Sequence, residues 1–135
     1  MLFGRRTYDQ LVGFWLSTTD PNPFTEVLRS TPKQVATRRA GELPHPNSIR
    51  LEGDAIEAIR GLKQDGEGEI VVLGSGDLVR QLLAAGLVDE LVLAVLPVVV
   101  GSGTRLFGTT PLALDVVRHE AFPSGITVTR WAVRH

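Results

Sequence analysis

The chain has 135 residues, 43% of them apolar and 21% charged, with a net charge of −1, values that suit one globular domain with a buried core. Lysines and arginines are scattered along it, so neither a nucleic acid nor an anionic membrane surface is expected as a partner. It has no cysteine, which excludes disulfides, thiol catalysis and thiolate metal sites. The histidines His45, His119 and His135 show no ligand spacing, which argues against a structural metal. Met1 leads within a few residues into Gly4-Arg5-Arg6, not a long apolar stretch, and the longest apolar run, Leu91 to Val100, is too short for a bilayer and contains Pro97. A cytoplasmic protein is expected.

Thr7 to Val12 reads as a short helix, Gly13 to Pro23 as a Thr-, Pro- and Asn-bearing loop, and Phe24 to Arg29 as another turn of helix. Gln34 to Thr37 and Ile49 to Leu51 read as short strands, with Gly41 to Asn47 as a loop between them. Asp54 and Glu57 have the form of a capping box, and Ile56, Ile59 and Leu62 follow at helical spacing until Gly66 and Gly68 stop the helix. Glu69 to Leu73 is a β-branched run, the pattern of a strand covered on both faces. Leu78, Val79, Leu82 and Leu83 form the apolar stripe of the next helix, closed at Gly86. Leu91 to Val100 then reads as a long buried strand in which Pro97 marks a bulge, edge or break. Leu112 to Ala121 and Ile126 to Val133 flank Pro123-Ser124-Gly125 as an antiparallel hairpin. Alternating helices and strands followed by strands predict an α/β fold, a three-layer sandwich on a mixed, mostly parallel sheet with a C-terminal antiparallel hairpin.

Three segments carry candidate chemistry. The first is Leu73-Gly74-Ser75-Gly76-Asp77-Leu78, where a strand enters a glycine turn and opens a helix. The first turn of a helix has unpaired N–H groups and a positive dipole end, and glycine lets a diphosphate approach the backbone. A tight strand-to-helix turn with no ligand accounts for this segment equally well. A Rossmann fingerprint does not fit, because Val79 stands where the third glycine belongs. The second segment, Gly4-Arg5-Arg6-Thr7, offers guanidinium groups and a hydroxyl at a helix start. In the third, Thr37-Arg38-Arg39, a hydroxyl and arginines end a short strand, as a ribose 2′-phosphate requires. Each of these two, alone, also fits a solvated segment.

Taken in order, the three resemble the dihydrofolate-reductase-like family, in the branch containing the riboflavin-biosynthesis reductase domain. Members of that branch have an apolar strand entering Gly-Arg-x-Thr-Tyr, here Leu2 to Tyr8, a strand ending in Ser/Thr-Arg, here Thr37-Arg38, and a glycine turn, here Gly74 to Asp77. Leu87-Val88-Asp89-Glu90-Leu91, Pro97 to Gly103 and Leu106-Phe107 continue the likeness, which spans nearly the whole chain. The resemblance implies an NADPH-dependent reductase of a small heterocyclic, pterin- or riboflavin-precursor-like molecule, and a homodimer. It places Gly4, Arg5, Arg6, Thr7 and Leu73 to Leu78 on the cofactor phosphates, and Thr37, Arg38 and Arg39 at the 2′-phosphate.

Members of the family normally begin with a strand, loop and helix ahead of Gly-Arg-x-Thr, whereas Met1 here stands only three residues before Gly4. The resemblance therefore implies a domain lacking its N-terminal part and with it the acid that protonates substrate. A truncated sequence, a strand supplied by a second subunit, and a remnant without activity all fit. A nucleotide-binding or oligomerisation module without turnover is the alternative to the reductase. Phe14 and Trp15 are candidates for a substrate pocket, though ordinary packing explains them better. Asp89 and Glu90 are adjacent on a strand and face opposite ways, so they do not form a catalytic pair. His119 reads as structural, and Ser102 lacks a His–Asp partner.

Overall fold

The computed structural model of the chain describes residues 1–19 and 22–135. They fall into two compact units, Met1–Val79 and Arg80–His135. The fold is α/β, with one parallel and one antiparallel sheet of three strands each.

In the first unit β1 (Leu2–Gly4), β2 (Lys33–Ala36) and β3 (Ser48–Arg50) lie parallel in that order. The register sets Gly4 against Ala36 and Val35 against Arg50. Residue Val72 extends the sheet by a single parallel bridge to Leu2, and the Leu2 amide donates to the Val71 carbonyl at 2.8 Å. The core beneath is Phe3, Tyr8, Val12, Leu28 and Val35, all fully buried, with Trp15, Phe24 and Leu73 packed against it.

Helical backbone begins at the end of β1 and runs unbroken through α1 (Arg5–Thr7), a π-helical turn (Tyr8–Val12) and α2 (Gly13–Ser17). The expected loop from Gly13 to Pro23 is therefore helical through Ser17, while Asp20 and Pro21 of that stretch lie outside the described residues. The physical reason is packing: Trp15 meets the Phe24 ring edge-on at 5.5 Å, and that burial outweighs the weak local propensity. Next comes α3 (Pro23–Ser30), with Pro23 at its first position and the Asn22 side chain accepting from the Phe24 amide at 2.8 Å. Helix α4 (Ala55–Asp65) shows one half of the expected capping box. Asp54 accepts from the amides of Ile56 and Glu57 at 2.9 and 3.1 Å, while the Glu57 carboxylate pairs with Arg60.

Glu69 to Leu73 is not a covered strand. Only Val72 makes a bridge, and Ile70 and Val71 remain 39% and 43% exposed. Its one neighbour, β1, is three residues long and offers no longer ladder. Helix α5 (Gly76–Ala84) follows with Leu78, Val79 and Leu82 buried. It ends as expected at Gly86 (φ +64), where Gly86 N–H donates to Leu83 and Leu87 N–H to Leu82, the paired bonds of a Schellman stop.

In the second unit β4 (Glu90–Val95), β5 (Leu114–Ala121) and β6 (Thr127–Val133) form an antiparallel sheet in the order β4-β6-β5. The expected hairpin is present. Phe122 and Ile126 close it, and the Gly125 amide donates to the Phe122 carbonyl at 2.8 Å. The long buried strand expected from Leu91 to Val100 is not. The ladder stops at Val95, opposite Thr127, and Val98, Val99 and Val100 are 66%, 97% and 79% exposed. Pro97 explains the break: it has no N–H to give a ladder, and the chain bends across it with the Val98 amide donating to the Leu96 carbonyl.

Among the described residues no helix is long and apolar enough to cross a membrane, and no cluster of His, Asp and Glu could hold a metal ion.

Candidate functional site

The site is built where the parallel strands of the first unit end. Because β1, β2, β3 and the Val72 bridge all run the same way, their carboxyl ends deliver Gly4-Arg5-Arg6-Thr7, Thr37-Arg38-Arg39, Arg50 and Leu73 to Leu78 to one edge of the sheet. Crevices at the carboxyl ends of parallel strands are where α/β sheets bind ligands. The three segments singled out in the sequence, far apart along the chain, thus share one place.

Two of them interlock directly. The Gly4 amide donates to Ser75 Oγ at 2.9 Å, and the Ser75 amide donates to Thr7 Oγ1 at 3.1 Å. Ser75 Oγ also donates to the Leu73 carbonyl at 3.2 Å. Ser75 takes a left-handed backbone (φ +54), a conformation costing a non-glycine residue about 1–2 kcal/mol. These three bonds hold it there. Thr7 and Ser75 hydroxyls are therefore engaged in shaping the turn. The first N–H groups of α5, at Gly76 and Leu78, have no intrahelical acceptor, and unpaired donors at a helix start suit an anion.

Arg5 supplies the charge. Its Nε donates to both carboxylate oxygens of Asp9, at 2.9 and 3.0 Å. Its Nη1 is buried and has no partner among the described residues. A buried guanidinium donor without an acceptor is costly unless an anion meets it, so this orphaned nitrogen fits a phosphate at the strand ends. Arg6 projects exposed one residue further on.

In the third segment the Arg39 amide donates to Thr37 Oγ1 at 3.1 Å, while the Arg38 and Arg39 side chains are exposed. Sequence reasoning passed over Arg50, whose guanidinium reaches back to the carbonyls of Arg39 and Gly41. It also passed over Tyr8, which is fully buried. The Tyr8 hydroxyl donates to Ser48 Oγ at 3.0 Å and accepts from the His45 amide at 3.1 Å, so it ties the first helical turn to β3. The His45 ring lies against Tyr8, tilted by 58° with centroids 5.2 Å apart, and burial holds its imidazole below the usual histidine range against an opposing pull from Asp9.

The other candidates have contacts of their own. Trp15 is part of the core packing, as ordinary packing predicts, and Phe14 is 65% exposed. Glu90 pairs with Arg130, and Asp89 lies 3.7 Å from His135. His119 shares a 2.8 Å hydrogen bond with Thr129, a structural role.

The profile of the RibD C-terminal domain matches residues 7–128. The chain belongs to that family. It is 28% identical over 131 residues to YyaP of Bacillus subtilis strain 168, an uncharacterised protein, with 93% of this chain and 69% of YyaP covered. Among solved structures, a Shewanella sp. PV-4 protein described as a putative riboflavin biosynthesis protein superposes with a TM-score of 0.75 at 24% identity, covering 99% of this chain and 73% of that one. A pyrimidine reductase-like protein of Corynebacterium diphtheriae gives 0.67 at 13% identity, covering 99% and 75%. The RibD-type fold is thereby shown, and the strand-end edge is the part of it that carries the segments described above.

Proposed function

We propose that this RibD C-terminal-type domain is an NADPH-dependent reductase that transfers hydride to a small heterocyclic substrate of the pterin or riboflavin-precursor kind. The observation that carries the reading is the meeting of Gly4-Arg5-Arg6-Thr7, Thr37-Arg38-Arg39 and Leu73 to Leu78 at one edge of the parallel sheet. Family membership and a pyrimidine reductase-like neighbour support it.

Arg5, Arg6 and the amides opening α5 would hold the diphosphate, with Gly4 and Gly74 keeping side chains out of the way. Thr37, Arg38 and Arg39 would face the ribose 2′-phosphate. NADPH supplies the hydride when bound, so the protein's share is binding, orientation and exclusion of water, and no strong acid–base signature is needed. Val95, Leu96, Val98, Val99 and Val100 form an exposed apolar run, and contiguous apolar surface of this kind marks interaction sites. That supports pairing with a second copy of the chain.

The test is a titration with NADPH and with NADH, following Trp15 and Trp131 fluorescence, and then the loss of dihydronicotinamide absorbance with pterins and pyrimidine precursors. Saturable NADPH binding, at least about tenfold tighter than NADH (about 1.4 kcal/mol), is expected. Binding without turnover of any substrate would favour a nucleotide-binding module, and binding of neither nucleotide would overturn the assignment. Light scattering is expected to give twice the chain mass.

A further inference from the structure

Arg50 ends β3, half-buried, with its Cα paired to Val35 of β2. Such a residue ordinarily meets a carboxylate, and among the described residues none pairs with it. Its two terminal nitrogens instead donate to main-chain carbonyls: Nη1 to Arg39, and Nη2 to Gly41 at 2.5 Å. A guanidinium is a rigid planar fork, so gripping carbonyls two residues apart fixes the backbone between them. Gly41 completes the fixed shape at φ +116, with nothing within 4 Å of where a side chain would start.

The stretch so held is the one leaving β2. At its near end the Arg39 amide is tied to Thr37 Oγ1 at 3.1 Å, and at its far end Arg50 grips Arg39 and Gly41. Arg38 and Arg39 therefore stand on an anchored backbone with exposed side chains, although this part of the chain has no regular secondary structure. Long exposed arginines lose rotamer freedom on gripping an anion, and a fixed backbone reduces the remaining cost of ordering them. The Arg50 charge, with no carboxylate paired to it among the described residues, adds to the positive potential of Arg38 and Arg39 in a chain whose net charge is −1.

We infer that Arg50 is a positioning residue that sets the preference for a dinucleotide bearing a ribose 2′-phosphate, by clamping the Thr37–Gly41 segment that presents Arg38 and Arg39. The inference rests on the NADPH reading above. It concerns the discrimination between two nucleotides, and so it separates from general effects on folding or on the diphosphate site.

The experiment measures dissociation constants for NADPH, NADH and 2′-phospho-ADP-ribose, with thermal midpoints, in the wild type and in Arg50→Ala, Arg50→Lys and Gly41→Ala. Arg50→Ala is expected to weaken both 2′-phosphorylated ligands by about tenfold while NADH changes by less than about twofold. Arg50→Lys should recover only part of the loss, since it keeps the charge but lacks the rigid planar fork that fixes both carbonyls at once. Gly41→Ala disturbs the same segment without touching β3, and should show the same selective loss even if Arg50→Ala does not fold. Equal weakening of NADPH and NADH in the variants, or an unchanged ratio, would overturn the role of Arg50 alone. A wild type that does not prefer NADPH would overturn the cofactor reading and this inference with it.

Discussion

The Ser75 amide donates to the Thr7 hydroxyl at 3.1 Å, and beside it Gly74, at φ +57, leaves only 3.1 Å between Thr7 Cγ2 and the point where a Cβ would stand. The two glycine-bearing segments of the site are thus one interlocked structure, in which the turn before α5 rests on the first helical turn after β1. Thr7→Val leaves the partly buried Ser75 amide without an acceptor, at a cost of about 1–3 kcal/mol. Gly74→Ala adds a left-handed alanine, at about 1–2 kcal/mol, and a contact with Thr7 that must be relieved. Urea unfolding should show both losses, and NADPH affinity should fall with them. Thr7→Ser, which keeps the hydroxyl, should retain most of the stability. A Thr7→Val protein as stable as the wild type would show that the bond does not hold the turn.

How far such features can be read from sequence depends on where their partners lie. The Asp54 cap, the Gly86 stop and the Pro123-Ser124-Gly125 hairpin are legible because each is satisfied within a few residues of itself. Gly13 to Ser17 is not, since its helix depends on Trp15 finding Phe24 across the stretch the sequence marks as a loop. The apolar run Glu69 to Leu73 announces a need for burial but not whether a neighbouring strand is long enough to meet it, and Leu91 to Val100 does not announce which of a bulge, an edge or a break Pro97 makes. In the site, residue types at the ends of β1 and β2 and before α5 mark three segments as phosphate-suited. Their meeting follows from the parallel register. The Thr7–Ser75 bond and the Arg50 clamp could not be seen, because their acceptors or donors include main-chain groups that carry no residue signature.

Arg5 should carry binding of the diphosphate shared by both nucleotides. Its Nη1 is buried without a partner while its Nε is held by Asp9. Arg5→Met keeps the stem and removes the donors, and a lost charge-assisted bond of about 1.5–3 kcal/mol predicts a weakening of roughly ten- to a hundredfold. NADPH and NADH should weaken equally, in contrast to the selective loss expected of Arg50→Ala. Asp9→Asn should cost less than about 1 kcal/mol of stability, because the ion pair is partly exposed. Fluorescence titrations at two salt concentrations check both variants, and an Arg5→Met protein that binds as the wild type would remove Arg5 from the site.

At the hairpin of the second unit, Gly125 stands at φ +83, and a Cβ there would lie 3.1 Å from Pro97 Cγ. Gly125→Ala therefore combines backbone strain with a clash, and a loss of at least about 1–2 kcal/mol is expected. The two causes can be separated. In a Pro97→Ala background the clash is gone and the strain remains, so the same substitution should cost less but not nothing. Equal costs in both backgrounds, measured by urea unfolding, would show that Pro97 yields freely to a side chain at the turn.

Lys33 gives the protein an alkaline stability slope. The side chain is fully buried, and its Nζ donates to the carbonyl of Leu28 and, at 2.8 Å, to that of Thr31, with no carboxylate paired to it among the described residues. Burial disfavours the charged form and lowers its pKa from the ordinary 10.5. A base whose folded-state pKa is depressed binds fewer protons folded than unfolded between the two values, so stability rises with pH across the window ending at 10.5. Below that window both states are protonated and the burial penalty is present in full; above it the penalty is gone. Lys33→Met removes the titrating group and should flatten this limb. At the alkaline end it leaves the two carbonyls without their donor, a loss of about 1–3 kcal/mol, and the gap to the wild type should narrow toward neutral pH. Urea unfolding at a series of pH values from neutral to alkaline checks this, and a Lys33→Met protein that keeps the wild-type slope would assign the slope to another group.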